Sequence, residues 1–306
     1  MSGVSDPARG IRFVLMAVAL FAVQDGISKH LAQSYPVPFF VMIRYWFFAA
    51  FVIAMAVRSP GGIRGAWRTK MPLTQVFRGV LLVFQIWVIV TSFDLIGLGP
   101  THAIFALHPL VATLMAIPLL GEMVGWRRLA AVGVGFLGIL VILRPGAGVF
   151  DPYALIAVGS SFLFGFYSVL TRMVAKADGS ARPAFFYTGV AGAVAVTAVG
   201  PFFWTPMLPA DWAWLGVLCV TGMAGHYCLI RALDATEAVR IQPFIYLQMV
   251  FATAMGWTLF GEPFDPVALI GMAMIVGAGL YAIWREWVAM ERAKVAARAA
   301  REGGPG

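Results

Sequence analysis

Two stretches decide the fold: Pro109–Glu122, PLVATLMAIPLLGE, and Leu247–Glu262, LQMVFATAMGWTLFGE. Laid over each other at a shift of 140 residues, Ala112-Thr113 falls on Ala252-Thr253, Leu119 on Leu259 and Gly121-Glu122 on Gly261-Glu262. The register continues outward without a gap, from Asp94 on Asp234 to Leu129 on Leu269. At a shift of 143, Phe21 falls on Phe164, Ser28 on Thr171 and Lys29 on Arg172. Apolar segments resemble one another by composition alone. A Gly-Glu step in register with an aspartate does not follow from composition, so the chain reads as an internal repeat.

The rest of the sequence fits around these two stretches. Of 306 residues, 61% are hydrophobic and 12% charged, with a mean hydropathy of +0.86. A soluble protein of this length needs more polar surface. Runs of about 20 apolar residues span a bilayer core, and helices satisfy their own backbone there. The runs are continuous rather than alternating, so the fold class is an all-α polytopic membrane protein.

The sequence predicts ten transmembrane helices at 11–33, 37–57, 73–93, 100–120, 126–143, 152–173, 182–204, 212–231, 238–259 and 266–286. The fifth is short and glycine-rich. Residues 1–146 form the first five-helix repeat, 147–287 the second, and 288–306 a basic tail. Five spans is an odd number, so the second copy must enter the membrane inverted, the usual plan of a secondary transporter.

Orientation follows from the cations. With the N-terminus cytoplasmic, all but three of the 22 Lys and Arg residues fall in inner segments, the exceptions being Lys29, Arg44 and Arg144. Both termini are then cytoplasmic. The formal charge of +8 is a topology signal and implies no nucleic-acid partner. Residues 13–23 imitate a signal peptide behind Arg9 and Arg12, but they run into Gln24 and Asp25 without an A-x-A site. They read as an uncleaved first span. The tail alternates charge with alanine and extends the last helix, as a lipid-gripping surface or a solvated helix end.

Other chemistry is not signalled. Cys219 and Cys228 lie nine residues apart in one span and match no zinc or redox spacing. There is no G-x-x-x-x-G-K-[ST] and no H-E-x-x-H. A pairing of Ser160 with His226 is a weak basis for a hydrolase. The sequence therefore predicts no enzyme, no cofactor and no metal.

The Pro109–Glu122 and Leu247–Glu262 stretches, with Arg44 early in the second span, resemble the drug/metabolite transporter superfamily in its ten-helix EamA-type form. The resemblance covers nearly the whole chain. It departs at Met249, which stands where Pro109 stands in the first repeat. It implies a central cavity walled by helices 1, 3, 4, 6, 8 and 9, with 5 and 10 outside, and a small-molecule substrate. Within the superfamily the chain is most similar to bacterial inner-membrane exporters of neutral and aromatic amino acids. The alternatives are a carrier of another small-molecule class, such as a cationic drug or a nucleotide-sugar, and, more remotely, a membrane enzyme. The protein is expected to act as a monomer in the bilayer.

Ionisable groups inside a membrane are functional candidates. Asp25 and Lys29 are four apart on one helix face and read either as a self-satisfied pair or as a switch contact. Arg44 needs a partner, Asp25 or backbone carbonyls, or clamps a carboxylate. Asp25, Lys29 and Arg44 are the gating or coupling candidates. His102 corresponds to Gln242 and His108 to Gln248 at the 140 shift, so equivalent helices present polar groups suited to a zwitterion, or to helix–helix hydrogen bonds. Pro109 and Pro243 predict kinks that free carbonyls near Phe105 and near Val239 or Ile241. Gln24, Gln85, Trp87, Phe164, Tyr167, His226, Tyr227 and Tyr246 complete the candidate cavity lining, though an aromatic on a membrane helix also serves as packing or as a lipid contact.

Overall fold

Prolines open several of the described helices, at positions where the missing N–H has no helical partner to lose. Pro7, Pro38, Pro72, Pro109, Pro209 and Pro266 all sit in a first turn. The computed structural model describes residues 6–121, 123, 125–144, 151–179, 182–235, 243–263 and 265–302. Among these the structure is helical, without strands. The helices are α1 Pro7–Ala32, α2 Val37–Arg58, α3 Gly62–Trp67, α4 Pro72–Ile96, α5 Leu98–Phe105, α6 His108–Leu120, α7 Trp126–Leu143, α8 Ala154–Asp178, α9 Arg182–Val199, α10 Pro209–Ala235, α11 Leu247–Phe260 and α12 Pro266–Glu302.

Nine segments of the described chain are long and apolar enough to cross a membrane; Leu129–Leu143 is a shorter apolar helix. The helix from Pro266 runs for 37 residues, roughly 55 Å at 1.5 Å per residue. A bilayer core is about 30 Å thick, so the charged part of the tail continues this helix beyond it.

The predicted kink at Pro109 is a full break. α5 ends at Phe105 and α6 starts at His108. Pro109 has no N–H for the Phe105 carbonyl, and that carbonyl instead faces Nδ1 of His108 at 2.9 Å. The freed acceptor is thus occupied from within its own chain. In the second stretch the helix from Pro243 is interrupted at Tyr246 and resumes at Leu247. Tyr246 lies 140 residues after Ala106, inside the first break. The interruption recurs although Met249 replaces the proline; the Met249 N–H reaches the Tyr246 carbonyl at 3.2 Å, one residue tighter than an α-helical bond. Both stretches end on a left-handed glycine, Gly121 at φ 65° and Gly261 at φ 63°, a conformation that glycine adopts without Cβ strain. Gln242, Val239 and Ile241 lie outside the described residues.

α1 packs along α10 and α4 along α8; α2 and α4 pack on α9, α6 on α8, α11 on α5, and α7 along α12. Without a hydrophobic drive between helices in lipid, close approach of small residues holds such pairs. At the α7–α12 crossing a Cβ on Gly138 would sit 2.8 Å from the Gly271 carbonyl oxygen. On α9 a Cβ on Gly192 would strike the Tyr45 ring.

Candidate functional site

Two cavities open between the helices; the lining of the first includes Ser59, Ala66 and Arg182, and that of the second Arg172 and Ile283, at helix ends beside many of the cations. The first, of about 410 Å³, is walled by α2, α4, α8, α9 and α10. Arg44, Tyr45, Phe48, Tyr167, Phe185 and His226 give it its chemistry. Phe48 stacks on His226 with ring centres 5.9 Å apart, Phe21 meets the same imidazole edge-on at 5.1 Å, and Phe48 meets Phe185 at 5.3 Å. The second, of about 490 Å³, lies between α5, α6, α8, α11 and α12, and is lined by His102, His108, Arg172, Tyr246 and Gln248 among others. Phe164 stands between the two, touching Phe105, His108 and Tyr167 through their rings.

The wall of the first cavity hides a charge that sequence reasoning counted only as a topology signal. Arg78, on α4, is 1% exposed. Its guanidinium donates to Gln75 Oε1 at 3.1 and 3.2 Å, Tyr167 OH at 2.7 Å, Thr171 Oγ1 at 3.2 Å, Thr188 Oγ1 at 2.8 Å and the Ala184 carbonyl. Every partner is neutral. Tyr167, Thr171, Ala184 and Thr188 themselves line the cavity. Arg44 donates to Gln24 Oε1 at 3.1 Å, so its partner is neither Asp25 nor a backbone carbonyl. Gly222 makes room for that contact, since a Cβ there would lie 2.7 Å from Gln24 Oε1.

The opposite end is held by paired charges. Asp25 and Lys29 share a face of α1, but the structure does not pair them with each other: each finds its partner on another helix. Lys29, 5% exposed, bonds Glu262 and lies over the Phe260 ring, 4.8 Å from its centre. The same Glu262 carboxylate accepts from the backbone N–H of Leu98 at 2.7 Å and of Gly99 at 3.1 Å. Glu262 thereby joins α1, the start of α5 and the loop after α11. The site depends on two glycines. A Cβ on Gly256 would collide with the carboxylate, and one on Gly97, at φ 96°, would sit 2.7 Å from its Cδ. One step deeper, Asp25 Oδ2 accepts from Gln248 Nε2 at 2.7 Å and lies 3.1 Å from His102 Nε2. The His102 ring stacks on Phe93 at 5.3 Å. At the rim, Asp211 holds His30 at 3.1 Å and Tyr35 OH at 2.8 Å, and Arg144 bonds Asp265.

The sequence-predicted residues therefore separate into groups. Arg44, Tyr167 and His226 line the first cavity; His102, His108, Tyr246 and Gln248 line the second. Gln85 is spent on a buried bond to Ser160 Oγ, 2.9 Å away, which also takes Ser160 out of any pairing with His226. The Trp87 Nε1 and Tyr246 OH groups are buried without a hydrogen-bond partner among the described residues. Tyr227 is 50% exposed and lines neither cavity. The wall differs from the expected one: α2 and α9, the second and seventh predicted spans, line the first cavity, and α12 lines the second. Glu262 was legible as a repeat marker only. The signal for its role was Lys29, a lysine in an apolar span that needed a carboxylate.

Comparison with known proteins decides the family. A model of the EamA-like transporter family matches the chain twice, over residues 8–144 and 151–284. The chain belongs to that family. It is a small-molecule transporter of the drug/metabolite superfamily and not an enzyme, a multi-pass protein of the inner membrane. Similar proteins include an S-adenosylmethionine uptake transporter of Rickettsia bellii, 26% identical over 92% of this chain and 96% of the relative. A riboflavin transporter of Vibrio cholerae is 25% identical over 90% and 93%, and a pseudopaline exporter of Pseudomonas aeruginosa 23% identical over 88% and 94%. A solved crystal structure superposes with a TM-score of 0.58 over 89% of this chain and 95% of its own, at 19% identity, and speaks for the fold alone. None of these relatives is named for amino-acid export. They support the transporter class and leave the narrower amino-acid assignment without a relative behind it.

Proposed function

We propose that this EamA-family protein moves small aromatic metabolites, a class that includes aromatic amino acids and flavin-like rings, by alternating access. The observation that carries the reading is the first cavity. Its volume suits a metabolite-sized solute, and its walls combine ring faces with a few fixed polar groups, the usual make-up of a small-molecule site. The relatives named for riboflavin and for S-adenosylmethionine support a ring-bearing cargo. S-adenosylmethionine carries a fixed positive charge, and no carboxylate lies among the described residues of either wall, so the wall chemistry favours the uncharged ring. The relatives are named for both uptake and export, so direction is assigned to the solute and ion gradients rather than to the fold.

In this reading the chain makes ten spans as two inverted repeats, residues 1–146 and 147–287, with Leu129–Leu143 as the fifth span. Both termini face the cytoplasm, and residues 288–306 follow as a basic tail. The cavities then open inward and the Glu262 end is the closed outer gate. Lys29 opens that gate by leaving Glu262. Asp25, bridged to Gln248 beside His102, is the proton-coupling candidate, and the monomer is the working unit.

The test is flux into proteoliposomes of the purified full-length protein. Labelled tryptophan, phenylalanine, riboflavin and S-adenosylmethionine are each offered with and without a pH gradient. Saturable, mutually competitive flux of the ring-bearing neutral solutes, with KM raised by Phe48→Ala or His226→Ala, is the expected result. Flux of S-adenosylmethionine alone would overturn it and move attention to Asp25.

A further inference from the structure

We infer that the solute of the first cavity carries a carboxylate, and that Arg44 is the residue that receives it. This rests on the aromatic-cavity reading and narrows it. A guanidinium has five N–H donors and no acceptor, and it stays protonated at any physiological pH. Arg44 gives one donor to Gln24 Oε1 and lines the cavity. No carboxylate lies within ion-pair distance of Arg44 or Arg78 among the described residues, although four ion pairs elsewhere show that the chain has acids to spend.

A cation left inside a membrane protein without a counter-charge is expensive. One way to offset that expense is for the counter-charge to arrive with the cargo. Two features turn this into a site. Tyr45, Phe48 and His226 lie on the same wall as Arg44, so a ring stacked there would place an attached acid beside the guanidinium. Arg78 sits behind Tyr167, Thr171 and Thr188, sealed from the cavity by side chains that are all neutral. Its field reaches the cavity without offering a second direct contact, and low-dielectric walls lined by one sign of charge attract the opposite sign. Arg182 also lines this cavity and gives one N–H to the Pro60 carbonyl, 3.4 Å away; Arg44 is the guanidinium on the helix that carries Tyr45 and Phe48, and its fork matches the two oxygens of a carboxylate.

Isothermal titration of the detergent-purified full chain tests this with four probes: indole-3-propionate, its neutral amide indole-3-propionamide, flavin mononucleotide, and butyrate. The carboxylate should bind at least roughly tenfold tighter than the amide, as charge-assisted hydrogen bonds exceed neutral ones. Arg44→Gln should erase that gap, and Arg44→Lys should restore part of it. Equal binding of acid and amide, or a gap that survives Arg44→Gln, overturns the inference. Tighter binding of flavin mononucleotide than of the indole acid, lost in Arg44→Gln, replaces carboxylate by phosphate. Arg44-dependent binding of butyrate without any indole binding keeps the acid site and overturns the aromatic reading. Binding of none of the four overturns both.

Discussion

The two ends of the molecule handle buried charge in opposite ways. At the Glu262 end, Lys29, His30 and Arg144 each meet a carboxylate. At the cavity end, Arg44 and Arg78 meet, among the described residues, only amides, hydroxyls and a backbone carbonyl. A paired end is self-contained: it gains nothing from a ligand and holds the helices together. An end of hydrogen-bonded but uncompensated cations has a standing attraction for an anion. The difference separates the part of the bundle that closes from the part that receives.

The largest effect is expected from breaking the paired end. Glu262→Gln removes the charge that Lys29 faces and weakens the acceptors for the Leu98 and Gly99 amides, leaving a buried ammonium alone. Breaking one partner of a buried pair costs about 3–5 kcal/mol. Thermal unfolding in detergent should show a loss of that order. The double variant Lys29→Met with Glu262→Gln should recover most of it, because no charge is then left stranded. An unchanged midpoint in the single variant would mean that the pair does not hold this end closed.

How much of this was readable in advance follows from what a sequence exposes. The helices and the break at Pro109 were legible because periodicity and proline act locally. The break at Tyr246 was only half legible, as Pro243 predicts a kink but Met249 erases the matching signal. The partners of Asp25 and Lys29 were not legible. Spacing of four places both on one face, while the bundle offers each a better partner from α11 or the loop after it. Arg78 was misread for a related reason. Its position near a helix start is where topology puts cations, and its burial depends on α8 and α9 closing around it. Tyr227 illustrates the converse: one position along from His226 on α10 is enough to turn a side chain away from the cavity.

A smaller effect is expected at the cavity end. Arg78→Met removes a cation that has no counter-ion among the described residues and strands neutral partners, chiefly Gln75 Oε1 and Tyr167 OH, since Thr188 and the Ala184 carbonyl keep their bond to each other. Each unsatisfied buried group costs about 1–3 kcal/mol, part of which is regained because an expensive buried charge disappears. The net loss of unfolding free energy should therefore fall below that of Glu262→Gln, although Arg78 has more hydrogen bonds than Glu262. Transport should suffer more than stability, with KM for an acidic solute rising and KM for its amide unchanged. If Arg78→Met destabilises more than Glu262→Gln, hydrogen-bond number outweighs charge pairing in this bundle and the comparison fails.

The smallest effect belongs to the rim. Arg144 donates to Asp265, whose other oxygen caps the last helix at the Val267 N–H, 2.9 Å, and the Ala268 N–H, 3.3 Å. The Arg144 bond, with those two amides, holds the Asp265 carboxyl below its ordinary range. The side chain is 42% exposed, so solvent and salt screen most of the attraction, and such pairs contribute at most about 1 kcal/mol. A depressed carboxylate contributes stability that is complete above its unfolded pKa of about 3.9 and is lost as pH falls through the folded value. Arg144→Ala should therefore lower the unfolding midpoint slightly at pH 7, and less again at pH 3. Added salt should narrow the pH 7 difference, whereas it should leave the Glu262→Gln loss nearly intact, because buried pairs are screened far less than exposed ones. Equal salt sensitivity of the two variants would place Glu262 at the surface and dissolve the distinction between a latch and a rim contact.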